Sequence, residues 1–194
     1  HEVQKIDAEG NFVLKFGKYS TSQDWSKKPP GGYFRHSGGM RSLGGIAIDS
    51  QDNVFVVDGA DGRIQKFNSS GQFLKFITGP QSCRRSTRGA GWIAEYCGAG
   101  LPSDTSPGMQ GIAIDSKDNL YLAVGASHQI FKFDANDKLV RKWGRQGCGN
   151  GEFQRGGSGV SGVAVDEQDN VYVASAGGCA HQVQKFDPNG KFIK

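Results

Sequence analysis

The 194 residues include only two methionines, four histidines, four cysteines and six prolines. No run of 18 apolar residues occurs, so the sequence offers no membrane-spanning helix. No stretch longer than about ten residues keeps an apolar period of 3.6, which leaves almost no amphipathic helix. No two cysteines have the C-x-x-C spacing of a zinc knuckle. The acidic turns DSQDN, DSKDN and DEQDN lack the alternating ligands and distal glutamate of an EF-hand loop, so they read as hairpin turns and not as calcium sites. Glycine, by contrast, is abundant at 30 residues, and with this length it suits one turn-rich all-β domain.

What fills the chain is a repeat. GGIAIDSQDNVFVVDGADGRIQKFNSSGQFLKFITG from Gly44, QGIAIDSKDNLYLAVGASHQIFKFDANDKLVRKWG from Gln110 and SGVAVDEQDNVYVASAGGCAHQVQKFDPNGKFIK from Ser161 are versions of one phrase. Residues 1–17, HEVQKIDAEGNFVLKFG, carry its second half alone. Each phrase alternates short runs of Val, Ile, Phe and Tyr with Gly, Asn, Asp and Ser clusters, which predicts four short strands per copy. In NVFVV and NLYLAV apolar residues occupy both parities of the strand, so both faces of each sheet are covered. Four-stranded units packed face to face in series are the blades of a β-propeller. The predicted blades are 44–79, 110–144 and 161–194, with a half blade at 1–17 and long connectors at 18–43, 80–109 and 145–160. At roughly 40 residues per blade a six-bladed ring needs about 240. The expectation is therefore a partial ring, completed by further blades of a longer chain or by self-association.

The stretch GIAIDSQDNVFVVDGADGRIQKFNSSGQFL resembles the NHL repeat, and FDPNGKF and KWG resemble the way such repeats end. The resemblance covers the three full copies and residues 1–17, and it implies a propeller that usually has six blades. HQIFKFD at His128, with Cys148 and Cys179, further resembles the propellers of peptidylglycine amidating lyases. That likeness implies zinc-binding histidines just before the first strand of a blade and a catalytic tyrosine just before the turn cysteine. Here those positions hold Gly44, Gln110, Ser161 and Gly178. No catalytic residue, no metal and no cofactor is therefore assigned, and such a zinc enzyme remains an alternative reading. Other NHL proteins bind RNA, which is a second alternative.

In a propeller the turn between the second and third strands lies on the same face as the connector between blades. Cys148, in the connector GRQGCGNGEF, and Cys179, in the turn SAGGCAHQ, thus share one face, while Cys83 and Cys97 share the preceding connector. Two local pairs, Cys83 with Cys97 and Cys148 with Cys179, are expected as disulfides, which places the protein in an extracellular or secretory compartment. The sequon NSS at Asn68, in a hairpin turn, is a glycosylation candidate.

Function is sought where the chain departs from the repeat. The three connectors carry net charges of +4, +1 and +1, against +4 for the whole chain, so the remainder is at −2. Aromatic residues accompany the cations. The candidate ligand face is Trp25, Lys27, Lys28, Tyr33 and Arg35 in the first connector, with Arg84, Arg85, Arg88, Trp92 and Tyr96 in the second. Cations interleaved with flat rings suit a protein surface or an anionic glycan, and the disulfides weigh against nucleic acid. Lys5, Lys66, Lys132 and Lys185 recur at one place and read as part of the scaffold. His1, His128 and His181 also share a repeat position, taken by Gly62 in the remaining copy; His128 and His181 are weak metal candidates.

Overall fold

The computed structural model describes residues 2–20, 30–35, 43–59, 62–77, 109–153, 159–177 and 181–194. Strand β1 (Val3–Ile6) pairs antiparallel with β2 (Phe12–Phe16) as sheet I. Next, β3 (Lys18–Ser20) and β4 (Tyr33–Arg35) form a short parallel pair. Sheet II takes β5 (Ile46–Ile48), β6 (Val54–Asp58), β7 (Arg63–Phe67) and β8 (Phe73–Ile77) in sequence order. Sheet III repeats that order with β9 (Met109–Ile114), β10 (Leu120–Val124), β11 (Gln129–Phe133) and β12 (Leu139–Trp143). A 3₁₀ turn, Gly125–Ser127, joins β10 to β11 and is the sole helical element among the described residues. Sheet IV holds β13 (Gly159–Val165), β14 (Val171–Ala176) and β15 (Gln182–Phe186).

Two details differ from the sequence reading. Residues 161–194 predict four strands, but the fourth position of sheet IV is a single bridge from Phe186 to Phe192, continued by the Ile193 N–H donating to the Lys185 carbonyl at 2.8 Å. Only residues 191–194 follow the turn at Gly190, too few for a ladder. The first connector, read as loop, contributes β3 and β4, and the third contains a parallel bridge between Gln146 and Phe153.

The hairpins close through side chains that recur in each copy. Asp49 accepts the backbone N–H of Gln51 and Asn53, Asp115 those of Lys117 and Asn119, and Asp166 those of Gln168 and Asn170, all at 2.8–3.1 Å. Three residues on, Asp52, Asp118 and Asp169 take φ of 61°, 58° and 63°, a left-handed conformation that aspartate tolerates better than most residues.

The double parity of apolar residues has its consequence in packing. All five residues of β10 are buried, because sheet III is covered on both faces. Phe55, Val57 and Ile64 of sheet II join Leu120, Leu122, Phe131 and Phe133 of sheet III in one core, and Tyr121, Ala123 and Ile130 of sheet III join Val171, Val173 and Phe186 of sheet IV in the next. A third core sets Val3 and Phe16 of sheet I against Val56 and Phe67 of sheet II. The first strands β5, β9 and β13 lie side by side, close enough that a Cβ on Gly111 would fall 2.7 Å from the Val163 nitrogen. No helix among the described residues is long and apolar enough to cross a membrane.

Candidate ligand-binding face

In an antiparallel four-stranded sheet the first strand begins, the second ends, the third begins and the fourth ends at one side. The connectors of sheets II, III and IV therefore leave and enter at that side. Adjacent sheets share this orientation. The Gly45 N–H at the start of β5 donates to the Gln110 carbonyl of β9 at 2.6 Å, and at the opposite side Ser50 meets Asp118.

The base of this face is held by a device that recurs. The Gln65 side chain on β7, fully buried, accepts the Gly32 N–H at 2.9 Å and donates to the Tyr33 carbonyl at 2.8 Å. Gln184, at the same position on β15, accepts the Gly151 N–H at 2.7 Å and donates to the Glu152 carbonyl at 2.8 Å. In both places the next residue, Phe34 or Phe153, is fully buried. One glutamine amide thus satisfies a backbone donor and a backbone acceptor of an entering connector, and the phenylalanine beyond is anchored in the core between sheets. Sheet III has Phe131 at this position, buried in the apolar cluster between sheets II and III. The clamp was missed in the sequence, although the signal was there: Gln4, Gln65 and Gln184 share a repeat position, and Gly-x-Phe occurs at Gly32–Phe34 and Gly151–Phe153.

Sheet II adds a buried ion pair. Arg63 donates from Nε to Asp58 at 2.8 Å, with the two side chains 2% and 0% exposed, and its guanidinium lies 4.2 Å from the Phe76 ring centroid. Gln65 also donates to Asp58 at 2.9 Å, and Arg63 reaches the Tyr33 carbonyl at 3.3 Å. The corresponding pairs are Val124 with Gln129 in sheet III and Ser175 with Gln182 in sheet IV. Only sheet II pairs an acid with a base here.

Of the ten residues of the candidate face, Tyr33 is placed with its side chain: it is half-buried, with Lys18 Nζ 5.8 Å from its ring centroid. Arg35 is placed as part of the β4 backbone. Trp25, Lys27, Lys28, Arg84, Arg85, Arg88, Trp92 and Tyr96 lie outside the described residues. So do Cys83, Cys97 and Cys179, and with them both expected pairings; no free cysteine occurs among the described residues. Asn68 is half-buried in the β7–β8 hairpin, where its Oδ1 accepts the Gln72 N–H at 2.9 Å and its Nδ2 donates to Gln72 Oε1 at 2.9 Å.

At the shared histidine position His128 has φ 56° and its counterpart Gly62 φ 60°. Both sit in the left-handed region that glycine enters freely and histidine at modest cost; His181 is not among the left-handed residues, so the turn accounts for His128 alone. Among the described residues no group of three or more metal-ligating side chains forms. The recurrent lysines are equally tied down. Lys66, Lys132 and Lys185 lie 4.6–5.0 Å from the ring centroids of Phe55, Tyr121 and Tyr172, and 3.1–3.9 Å from Asp49, Asp115 and Asp166. Burial, and then the hydrogen bond to Asp115, push the Tyr121 phenol far above its ordinary range.

No protein-family profile matches the chain. Its fold is similar to solved β-propeller structures. A catalytically inactive virginiamycin B lyase from Staphylococcus aureus with quinupristin aligns at TM-score 0.57 and 11% identity, over 99% of this chain and 47% of that one. A streptogramin B lyase aligns at 0.58 and 9%, over 99% and 46%, and U3-55K at 0.57 and 16%, over 99% and 44%. The chain thus spans less than half the length of these structures. At such identities the likeness establishes the all-β propeller fold alone.

Proposed function

We propose that this chain is part of an NHL-type propeller that acts as an extracellular binding scaffold, taking an anionic glycan or an acidic protein surface at the side where its connectors meet. The observation that carries this reading is the charge division: the three connectors hold +6 and the rest of the chain −2. The clamps at Gln65 and Gln184 support it, because they fix the bases of two of these connectors on rigid sheets, as a binding loop needs. Tyr33, Lys18 and the backbone of Arg35 stand next to one of those bases. Pairing of Cys148 with Cys179 and of Cys83 with Cys97 belongs to the same proposal, since both would brace this side in an oxidising compartment.

The test is binding of an acidic polysaccharide to the 194-residue chain, with single-stranded RNA as competitor. Lys27→Glu with Lys28→Glu, or Arg84→Glu with Arg85→Glu, should weaken binding, and added salt should reproduce the loss. Trp25→Ala or Trp92→Ala should weaken it while leaving the salt dependence nearly unchanged, because lost stacking releases no counterions. Binding that is indifferent to all four charge reversals overturns the reading; RNA that displaces the polysaccharide completely and binds more tightly replaces it with the nucleic-acid one.

A further inference from the structure

The sheets meet through a second recurrent contact, on the side away from the connectors. Ser50 of sheet II donates both its backbone N–H and its hydroxyl to Asp118 of sheet III, at 2.8 and 2.7 Å. Ser116 of sheet III does the same to Asp169 of sheet IV, both at 2.9 Å. Each rung joins the residue after the turn-opening aspartate of one sheet to the left-handed aspartate of the next. Asp169 is buried beneath its rung and Asp118 half-buried, whereas Asp52, which no such serine meets among the described residues, is exposed.

Sheet IV breaks the pattern. Where the Ser50 and Ser116 hydroxyls donate, it has Glu167, which is exposed and whose side chain can only accept when ionised, its backbone N–H alone remaining a donor. The face beside it continues the two established interfaces. Val183 corresponds to Ile64 and Ile130, which are 1% and 0% exposed against the following sheet, yet Val183 is 64% exposed. Tyr172 and Ala174 correspond to Phe55 and Val57, and to Tyr121 and Ala123, all four of them buried. Lys185 corresponds to Lys132, whose Nζ donates to the Pro188 carbonyl in the hairpin of the next sheet at 3.0 Å.

We propose that this face of sheet IV is an interface for a further sheet of the same repeat type, one that presents a cationic side chain, in place of aspartate, opposite Glu167. The apolar part follows from continuity: the same three positions are covered by a sheet in both preceding cases. The identity of the rung follows from charge. Each left-handed aspartate of the DxxDN turns, Asp52, Asp118 and Asp169, would set a carboxylate against Glu167, so a second copy docking in the same register is disfavoured, whereas a lysine or arginine closes the rung as an ion pair. The break thus specifies which repeat follows. The inference stands on the packing of the sheets and not on the ligand face.

The test extends the 194-residue chain by a second copy of its residues 145–194, with the aspartate corresponding to Asp169 either retained or replaced by lysine, each in the Glu167 and Glu167→Ser backgrounds. With Glu167 the lysine version should unfold at the higher urea concentration; with Glu167→Ser the aspartate version should. Hydroxyl-radical labelling gives a readout that does not depend on global unfolding. Labelling of Val183 and Tyr172 should fall to the level of Ile64 and Tyr121 in the lysine extension. An aspartate version as stable as the lysine one with Glu167, or unchanged labelling of Val183 in both extensions, overturns the proposal. Labelling of Val183 in the unextended chain that falls with rising protein concentration would show that a second copy covers this face, and would overturn it as well.

Discussion

Replacing Gln184 by alanine should isolate the worth of one clamp. The amide is 4% exposed and serves two backbone groups, the Gly151 N–H at 2.7 Å and the Glu152 carbonyl at 2.8 Å. A buried group left without its partner costs about 1–3 kcal/mol; the Gly151 N–H is stranded while the Glu152 carbonyl keeps a long contact from the Gln182 amide at 3.5 Å, so the loss should be about 2–4 kcal/mol, with the upper end reached only if no water enters. Gln65→Ala should cost at least as much. There the Tyr33 carbonyl keeps a contact from Arg63 at 3.3 Å, but the Gly32 N–H is stranded and the Asp58 carboxylate loses a donor at 2.9 Å. Urea unfolding gives the global value, and amide hydrogen exchange the local one. Exchange at Gly32 should accelerate in Gln65→Ala and not in Gln184→Ala, with the reverse at Gly151, because the two clamps sit in different sheets and share no partner. Equal exchange at Gly32 in the wild type and Gln65→Ala, with an unchanged urea midpoint, would show that the connectors are held by Phe34 and Phe153 alone and would refute the clamp.

Arg63→Met should be destabilising, by about 3–5 kcal/mol, because it removes the 2.8 Å charged donor from a buried carboxylate; adding Asp58→Val, to approach the pairing of sheet III, should recover part of the loss in urea unfolding. The hydrogen bond from the Ser116 backbone holds the Asp169 carboxyl below its ordinary value, followed by the Ser116 hydroxyl and Lys117. A depressed folded-state pKa stabilises the fold fully above the unfolded value of about 3.9 and is lost as pH falls through the folded one, so urea midpoints measured from pH 5 downward should fall less steeply in Asp169→Asn than in the wild type. Peptide mapping without reductant should recover Cys148 joined to Cys179, and a Cys148 peptide joined to Cys83 or Cys97 instead would exclude the local pairing.

The scaffold was legible because the repeat states it several times over. Apolar residues at both parities of NVFVV and NLYLAV announce a sheet covered twice, and β10 is buried along its whole length. The DxxDN turns were legible for the same reason, since a carboxylate two and four residues before a backbone N–H closes a hairpin wherever it recurs. What the sequence obscured was the division of labour inside the connectors. Phe34 stands between Tyr33 and Arg35 of the candidate face, yet it is fully buried against Phe67, because the clamp by Gln65 acts across more than thirty residues of chain that no local pattern reports. Of the histidines at one repeat position, His128 shares the left-handed backbone of Gly62, a role in the turn that the spacing of histidines alone does not report.

Departures from the repeat therefore need a second question, namely where their compensation lies. Arg63 departs from the uncharged residues at its position in sheets III and IV, and its charge is answered within the same sheet by Asp58, 2.8 Å away, so it is internal to the scaffold. Phe131 departs from the glutamine of the clamps, and the core between sheets II and III absorbs it. Glu167 departs from the serine of two working rungs, lies exposed on the same sheet as Val183, whose counterparts are buried, and finds no compensating partner among the described residues. A departure balanced from within says how a sheet is built. One that is balanced by nothing nearby, at a position where its counterparts touch the next sheet, points outward to a complementary charge, and the order of the repeats is then written in their rungs as well as in their strands.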